Sequence, residues 1–94
     1  MPALGIITFE LHLPEAHSLK DKRHWVLGLK EKLRKRHNLA VAEIDYQDIW
    51  NRGLVSAVTV SNQRAHCQKV LEAAERTAAS FLGPFLVEVT FEYL

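Results

Sequence analysis

Cysteine is almost absent from this chain. The one residue, Cys67, has no second thiol with which to form an intramolecular disulfide, and a cysteine-rich metal site is excluded. This usage fits a protein of a reducing compartment.

Long apolar runs are missing as well. No segment approaches the roughly eighteen apolar residues needed to cross a bilayer, and Met1–Ala3 lacks the charged start of a secretory signal. No stretch is of low complexity. We therefore expect a cytoplasmic protein with no targeting signal and no membrane partner.

The composition is that of an ordinary globular protein. Its 94 residues are 48% hydrophobic and 24% charged, which argues against disorder. A chain of this length supports one modest core, so we expect a single domain over residues 1–94.

Positive charge is concentrated in one segment. Residues 20–36 contain eight of the chain's twelve Lys and Arg but only two acids, Asp21 and Glu31, so their formal charge is +6. The other residues include four bases and nine acids, for a charge of −5. The net charge of +1 therefore hides a dipolar molecule, and separated charge of this kind concerns partners more than fold.

Hydrophobic periodicity predicts four strands and two helices. A capping box at Ser18–Asp21 predicts a helix to about His37, and a second helix should follow Ser61 or Asn62 and stop at Gly83. Alternation predicts strands over residues 4–13, 39–46, 54–60 and 85–93. The order βαββαβ predicts an α+β, ferredoxin-like sandwich, in which two helices cover one face of a four-stranded antiparallel sheet.

The other face of that sheet should remain open. Alternate residues of each strand share a face, and the set assigned to the open face is rich in carboxylates. Its members are Thr8, Glu10, His12, Glu43, Asp45, Glu88, Thr90 and Glu92. We expect an acidic open face opposite a basic helical face.

Five blocks of sequence resemble the YlxP-like family of small bacterial proteins. They occur in order along nearly the whole chain, at Phe9–Pro14, Ala16–Arg23, Val41–Asp45, Gln47–Trp50 and Val60–Asn62. The resemblance implies a ferredoxin-like fold and a bacterial cytosolic protein, but no established activity. Genes of this family often lie beside those for transcription and translation-initiation factors, which implies work on RNA or the ribosome.

Cations line one sector of the first predicted helix. At 100° per residue, Arg23, Leu27, Lys30 and Arg34 lie together, clear of the apolar stripe. Basic side chains with this spacing can contact successive phosphates of a nucleic acid. We therefore predict an RNA- or ribosome-binding surface made of Lys20, Arg23, Lys30, Arg34 and Lys35; the alternative is a solvated, lysine-rich helix surface.

The start of this helix is a second candidate. Cations in a first turn are unfavourable beside the helix dipole, and a bound anion would offset that cost. Ser18, Lys20 and Lys22 are the predicted anion ligands. Asp21 argues against the site because it satisfies the same dipole.

Two other RNA-binding modes are less favoured. The third strand has no aromatic residue, so base stacking on the sheet is not expected. Trp50 and Arg52 could form a stacking platform, but the preferred interpretation is that Trp50 closes the core and Arg52 pairs with Asp48.

Two other function classes stay open. One is an acylphosphatase-like enzyme, although residues 12–18 contain no glycine for a phosphate cradle. The other is a homo-oligomer, formed by the acidic face against the basic helix or by edge-strand pairing. We expect no catalytic residue, no cofactor and no metal, and we place Cys67 in the core.

Overall fold

The computed structural model describes all residues, 1–94. Its elements follow the predicted order, with a short 3-10 helix inserted before the last strand. They are β1 (Ala3–His12), α1 (Leu19–Arg36), β2 (Ala40–Asp45), β3 (Arg52–Ser61), α2 (Arg64–Leu82), the 3-10 helix (Gly83–Phe85) and β4 (Leu86–Tyr93).

The four strands form one antiparallel sheet in the order β2-β3-β1-β4. The predicted ferredoxin-like fold is therefore confirmed. β1 is central and pairs along its whole length with β3, whereas β2 and β4 are the edges. The pairing is regular apart from a bulge beside Glu43 on β2 and one where β4 meets Leu11.

The core lies between the two helices and the sheet. The helix-facing residues of β1, which include Ile7, Phe9 and Leu11, are fully buried against Leu29 of α1 and Leu71 of α2. Cys67 is also fully buried, as predicted. Fully burying a side chain of this size contributes about 1.5–3 kcal/mol, so this layer is the main source of stability.

The two helices begin differently. The Ser18 hydroxyl accepts a hydrogen bond from the backbone N–H of Asp21 (3.1 Å), which confirms the predicted cap of α1. The cap of α2 is Gln63 rather than Ser61 or Asn62, and its side chain makes no capping bond. The Ser61 hydroxyl instead accepts from the backbone N–H of Gln63 (3.2 Å). Gly83 ends α2 with a φ of 55°, a value that favours glycine.

The prediction for β2 was inverted as far as Glu43, whereas Asp45, beyond the bulge, lies opposite Leu54 on the open face as predicted. Val41 is buried against the helices, and Glu43 shares its side of the sheet, whereas Ala40, Ala42 and Ile44 face away. Leu39 and Val41 bury more apolar area than two alanines do, and this gain selects the observed phase. Glu43 therefore does not belong to the open face.

Candidate nucleic-acid interface

Three predicted RNA-binding side chains lie free on one side of α1. Lys20 and Arg23 are exposed, and Lys30 is half-buried. No carboxylate oxygen lies within 4.0 Å of any of the three charged groups. Leu27 lies among them with 54% of its surface exposed, so this stretch of α1 is covered by no other part of the chain.

The other two predicted side chains have partners within the fold. Arg34 Nη2 donates to the backbone carbonyl of Val41 on β2 (3.1 Å). Lys35 Nζ lies 3.9 Å from a carboxylate oxygen of Glu31, a loose pair between exposed groups that contributes little. Arg34 therefore has a structural task, while Lys35 stays available to a ligand.

Sequence reasoning missed one exposed cation, Arg36. It ends α1, is exposed and has no carboxylate within 4.0 Å. The sequence did contain a signal for Arg36, because it belongs to the basic run Arg34–Arg36 in the last helical turn, where the helix dipole favours cations. Lys32 differs, because its ammonium lies over the Phe81 ring at 5.0 Å.

A groove of about 210 Å³ runs between α1 and the edge strand β2. Arg23 and Lys30 of α1 lie along one wall, and Glu43 of β2 and Gln47 of the following loop form the other. Its lining residues are Leu19, Lys22, Arg23, Val26, Leu27, Lys30, Glu43 and Gln47. The groove joins the cations of α1 to a continuous surface rather than leaving them on an isolated ridge.

Lys22 does not belong to an anion site. It is 2% exposed, and its ammonium lies 2.9 Å from Glu43 Oε2 and donates to the carbonyl of Tyr46. Tyr46 holds that carbonyl in place with a left-handed backbone, φ 63°. The prediction for Lys22 was therefore wrong: its charge pairs with the partly buried carboxylate of Glu43 and links α1 to β2.

The rest of the predicted anion site is filled by the chain itself. Asp21 Oδ2 accepts from the backbone N–H of His17 (3.0 Å), and Ser18 is occupied with the N–H of Asp21. These bonds place a carboxylate where the anion was expected. Lys20, the remaining member, extends into solvent and belongs with the cations of α1.

The interpretations of Arg52 and Trp50 were also wrong. Arg52 lies over the Tyr46 ring (4.2 Å), donates to the Tyr46 hydroxyl (3.0 Å) and lies 3.5 Å from a Glu10 carboxylate oxygen. It does not pair with Asp48. Trp50 is 50% exposed in the loop between β2 and β3, so it does not close the core.

The open face of the sheet is not uniformly acidic. Ile6 lies opposite Val58 and Leu4 opposite Val60, and these apolar pairs cover one end of β1 and β3. The carboxylates of this face are Glu10, Asp45 at the end of β2, which lies opposite Leu54, and Glu88 and Glu92 of β4. The acidic surface expected to meet a basic helix is therefore smaller than predicted, because apolar pairs occupy the other end of the sheet.

Edge strand β2 is guarded by side chains. Besides the bond from Arg34 to Val41, Gln47 Nε2 donates to the carbonyl of Glu43 (3.5 Å). Side chains that occupy an edge strand's backbone hinder pairing with another chain. Strand addition is therefore disfavoured beside the groove.

Two other features are absent from the structure: a metal-binding cluster and a membrane-spanning helix. No three His, Cys, Asp or Glu side chains are grouped so that they could hold a metal ion. Neither helix combines the length and apolarity required to cross a membrane.

The family resemblance is confirmed by comparison with known proteins. A family model described as "Protein of unknown function (DUF503)" matches residues 4–90, so the chain belongs to this family. "Uncharacterized protein YlxP" of Bacillus subtilis (strain 168) is 30% identical over 69 residues, which are 73% of this chain and 75% of that protein.

Solved structures share the fold at low sequence identity. The designed protein Foldit4 is 10% identical with a TM-score of 0.65, over 100% of this chain and 97% of its own. A dimeric ferredoxin-like protein of unknown function from Thermobifida fusca YX is 14% identical with a TM-score of 0.51, over 97% and 90%. At such identities the likeness shows the fold alone.

Proposed function

We propose that this DUF503 protein is a non-enzymatic, cytoplasmic module that binds RNA through the phosphates, using α1. One observation carries the proposal: six of the eight cations of α1 have no carboxylate oxygen within 4.0 Å. Unpaired cations on one helix attract a polyanion and release its counterions on binding.

The spacing of these cations suits a nucleic-acid backbone. Arg23, Lys30 and Arg34 share a sector of α1 and span about 16 Å along its axis, at a rise of about 1.5 Å per residue. That length matches several successive phosphates of one strand. Arg34 takes part with the guanidinium nitrogens that are not engaged by Val41.

The same surface favours recognition of shape over sequence. The exposed stretch of α1 carries Leu27 between its cations but no Trp, Tyr or Phe to stack on a base. Contacts to phosphates position a protein on RNA without reading bases. The partner that we propose for this surface is a ribosomal or other structured RNA.

The test is binding of labelled RNA, measured by fluorescence anisotropy across a salt series. The variant Arg23→Glu/Lys30→Glu reverses two unpaired cations; Arg34 is spared because it also holds β2. We expect the affinity to fall at least about tenfold. The salt slope should become shallower by about 0.7 to 0.9 for each phosphate that the variant no longer binds, the lower value applying to single strands.

A matched control distinguishes the effect of where the charges lie from the effect of the net charge of the protein. Lys69→Glu/Arg76→Glu changes the charge equally, but on the exposed side of α2. This control should retain most of the wild-type affinity. Equal losses in both variants, or no salt-dependent binding by the wild type, would contradict the proposal.

A further inference from the structure

A cleft of about 250 Å³ lies between α1 and α2. Its lining residues are Lys32 and Arg36 of α1 and Thr77, Ser80 and Phe81 of α2. At about 100° per residue, Lys32 lies on the opposite side of α1 from Arg23. This interhelical cleft is therefore separate from the surface proposed to bind RNA.

Every polar side chain that lines the interhelical cleft can donate a hydrogen bond, and none is a carboxylate. The charged groups of Lys32 and Arg36 have no carboxylate oxygen within 4.0 Å. The Lys32 ammonium lies over the Phe81 ring at 5.0 Å, a contact that positions the cation without neutralising its charge. Two cations without a counter-ion in one cleft attract an anion.

The α2 side of the cleft supplies two hydroxyl groups. Thr77 Oγ1 lies 2.8 Å from His37 Nε2, and when that nitrogen donates its proton, the threonine keeps its own proton for a ligand. Ser80 is exposed and lies three residues further along α2. Residues at this spacing share one side of a helix, so both hydroxyls can donate to the same group.

The electrostatic potential beside the cleft is positive. Burial and the charges of Arg36 and Arg76 lower the pKa of His37, and no carboxylate lies near enough to raise it. The helix dipole accounts for a cation at the end of α1. It does not account for the two hydroxyls on the facing turn of α2, whereas a ligand with negative charge and several acceptor oxygens would engage both sides of the cleft.

We infer that the interhelical cleft binds a phosphate group, either as the free ion or as the terminal group of a small phosphomonoester. Phosphate oxygens accept strong, charge-assisted hydrogen bonds from the ammonium of Lys32 and the guanidinium of Arg36. The cleft is smaller than the pockets of about 300–1,000 Å³ that hold drug-sized ligands, which suits a small anion. This site does not depend on RNA binding by the other side of α1.

The first test is a titration of the wild-type protein with inorganic phosphate at constant ionic strength, followed by amide NMR. We expect saturable shifts around residues 32–37 and 77–81, with a dissociation constant on the order of 1 mM, in keeping with a ligand of few atoms. Chloride in place of phosphate should not produce them. An absence of saturable shifts, or the same shifts with chloride, would overturn the inference.

Adenosine monophosphate, titrated in the same way, distinguishes the two sources of the phosphate group. Tighter binding than that of inorganic phosphate would assign a phosphomonoester. Equal or weaker binding would assign the free ion.

The second test removes the two charges of the cleft. Lys32→Gln/Arg36→Gln should raise the dissociation constant for phosphate at least about tenfold, because the charge-assisted bonds are lost. Arg23→Gln/Lys30→Gln removes two charges from the other side of α1, where salt screens them from the cleft, and should change it less than about threefold. Equal losses in both variants would assign binding to net charge and overturn the inference.

A further variant keeps the second test informative if the loss of Lys32 from the Phe81 ring disturbs the fold, as judged by circular dichroism. Ser80→Ala changes an exposed residue and should weaken phosphate binding severalfold. Wild-type affinity in a folded Lys32→Gln/Arg36→Gln protein, or in the Ser80→Ala protein that takes its place, would locate the ligand elsewhere and overturn the inference.

The ring of His37 gives an independent readout of where the anion binds. A negative charge next to Thr77 favours the imidazolium, so saturating phosphate should raise the pKa of His37, as measured by NMR of its ring protons. An unchanged pKa at saturating phosphate would show that the anion does not lie beside Thr77, which would also overturn the inference.

Discussion

The two helices lie on the same side of the sheet but are held by different means. α2 buries a stripe of apolar, mostly small residues: Cys67, Leu71, Ala74, Ala78 and Leu82. It lies so close to β1 that a Cβ added to Gly5 would be 2.9 Å from Leu71 Cδ1. α1 buries only three apolar residues and adds the charged contact of Lys22 with Glu43.

This difference distinguishes α2, which mainly packs against the sheet, from α1, which mainly displays positive charge. α2 has three basic and two acidic residues, so its formal charge is +1, whereas that of α1 is +6. α2 packs closely against the sheet through small side chains, so its main contribution is to the core. α1 is held at its inner side by three apolar residues and Lys22, and six of its eight cations have no carboxylate oxygen within 4.0 Å.

The largest expected effect comes from breaking the packing of α2. Leu71→Ala should lower the free energy of unfolding by about 2–5 kcal/mol, because Leu71 is fully buried and its truncation leaves a cavity. Urea denaturation measures this. Lys69→Ala, on the exposed side of the same helix, should change stability by less than about 0.5 kcal/mol, and a comparable decrease there would contradict the assignment.

A somewhat smaller effect is expected from the charged contact of α1. Lys22→Met should cost about 2 kcal/mol, because Glu43 keeps a partly buried carboxylate without its cation. The double variant Lys22→Met/Glu43→Leu should be destabilised by less than the sum of the single changes. A double-mutant cycle by urea denaturation measures this coupling, and strict additivity would show that the two side chains do not interact.

A gain of function would sharpen the comparison. Leu27→Lys adds a cation between Arg23 and Lys30 and should raise RNA affinity severalfold, with a salt slope steeper by about 0.7 to 0.9. Ala79→Lys adds the same charge to α2, where the proposal predicts little change. Equal increases from both would assign binding to net charge alone.

The smallest effect concerns the contact between the two helices. His37, just after α1, bonds to Thr77 of α2 (2.8 Å), and burial, with Arg36 and Arg76 nearby, lowers its pKa below 6.5. The unfolded chain then binds the proton more tightly, so the stability should fall as the pH drops through about 6.5.

The variant His37→Gln isolates this contribution from the other histidines. It retains a side chain able to hydrogen-bond Thr77 but does not titrate in this range. Between pH 8 and pH 5.5, its urea midpoint should decline less than that of the wild type. An identical decline would show that His37 does not contribute.

Much of the fold was predictable because local signals agree with one another. The alternation in β1, the cap at Ser18 and the stop at Gly83 each specify an element without reference to the rest of the chain. The positive charge of α1 was equally evident. Charge alone does not distinguish Lys22 from Lys20, but helical spacing does, because Lys22 lies on the same stripe as Val26, Leu29 and Leu33 and Lys20 does not.

The sequence by itself determined the order of the elements, the basic helix and the single buried thiol, because each follows from periodicity or residue type. Only the tertiary structure decided which side of β2 is buried, since a six-residue strand with apolar residues on both sides has no unique phase. That choice placed Glu43 against Lys22 and removed its carboxylate from the open face. Contacts between residues far apart in the chain depend on three-dimensional packing, and no local pattern encodes them.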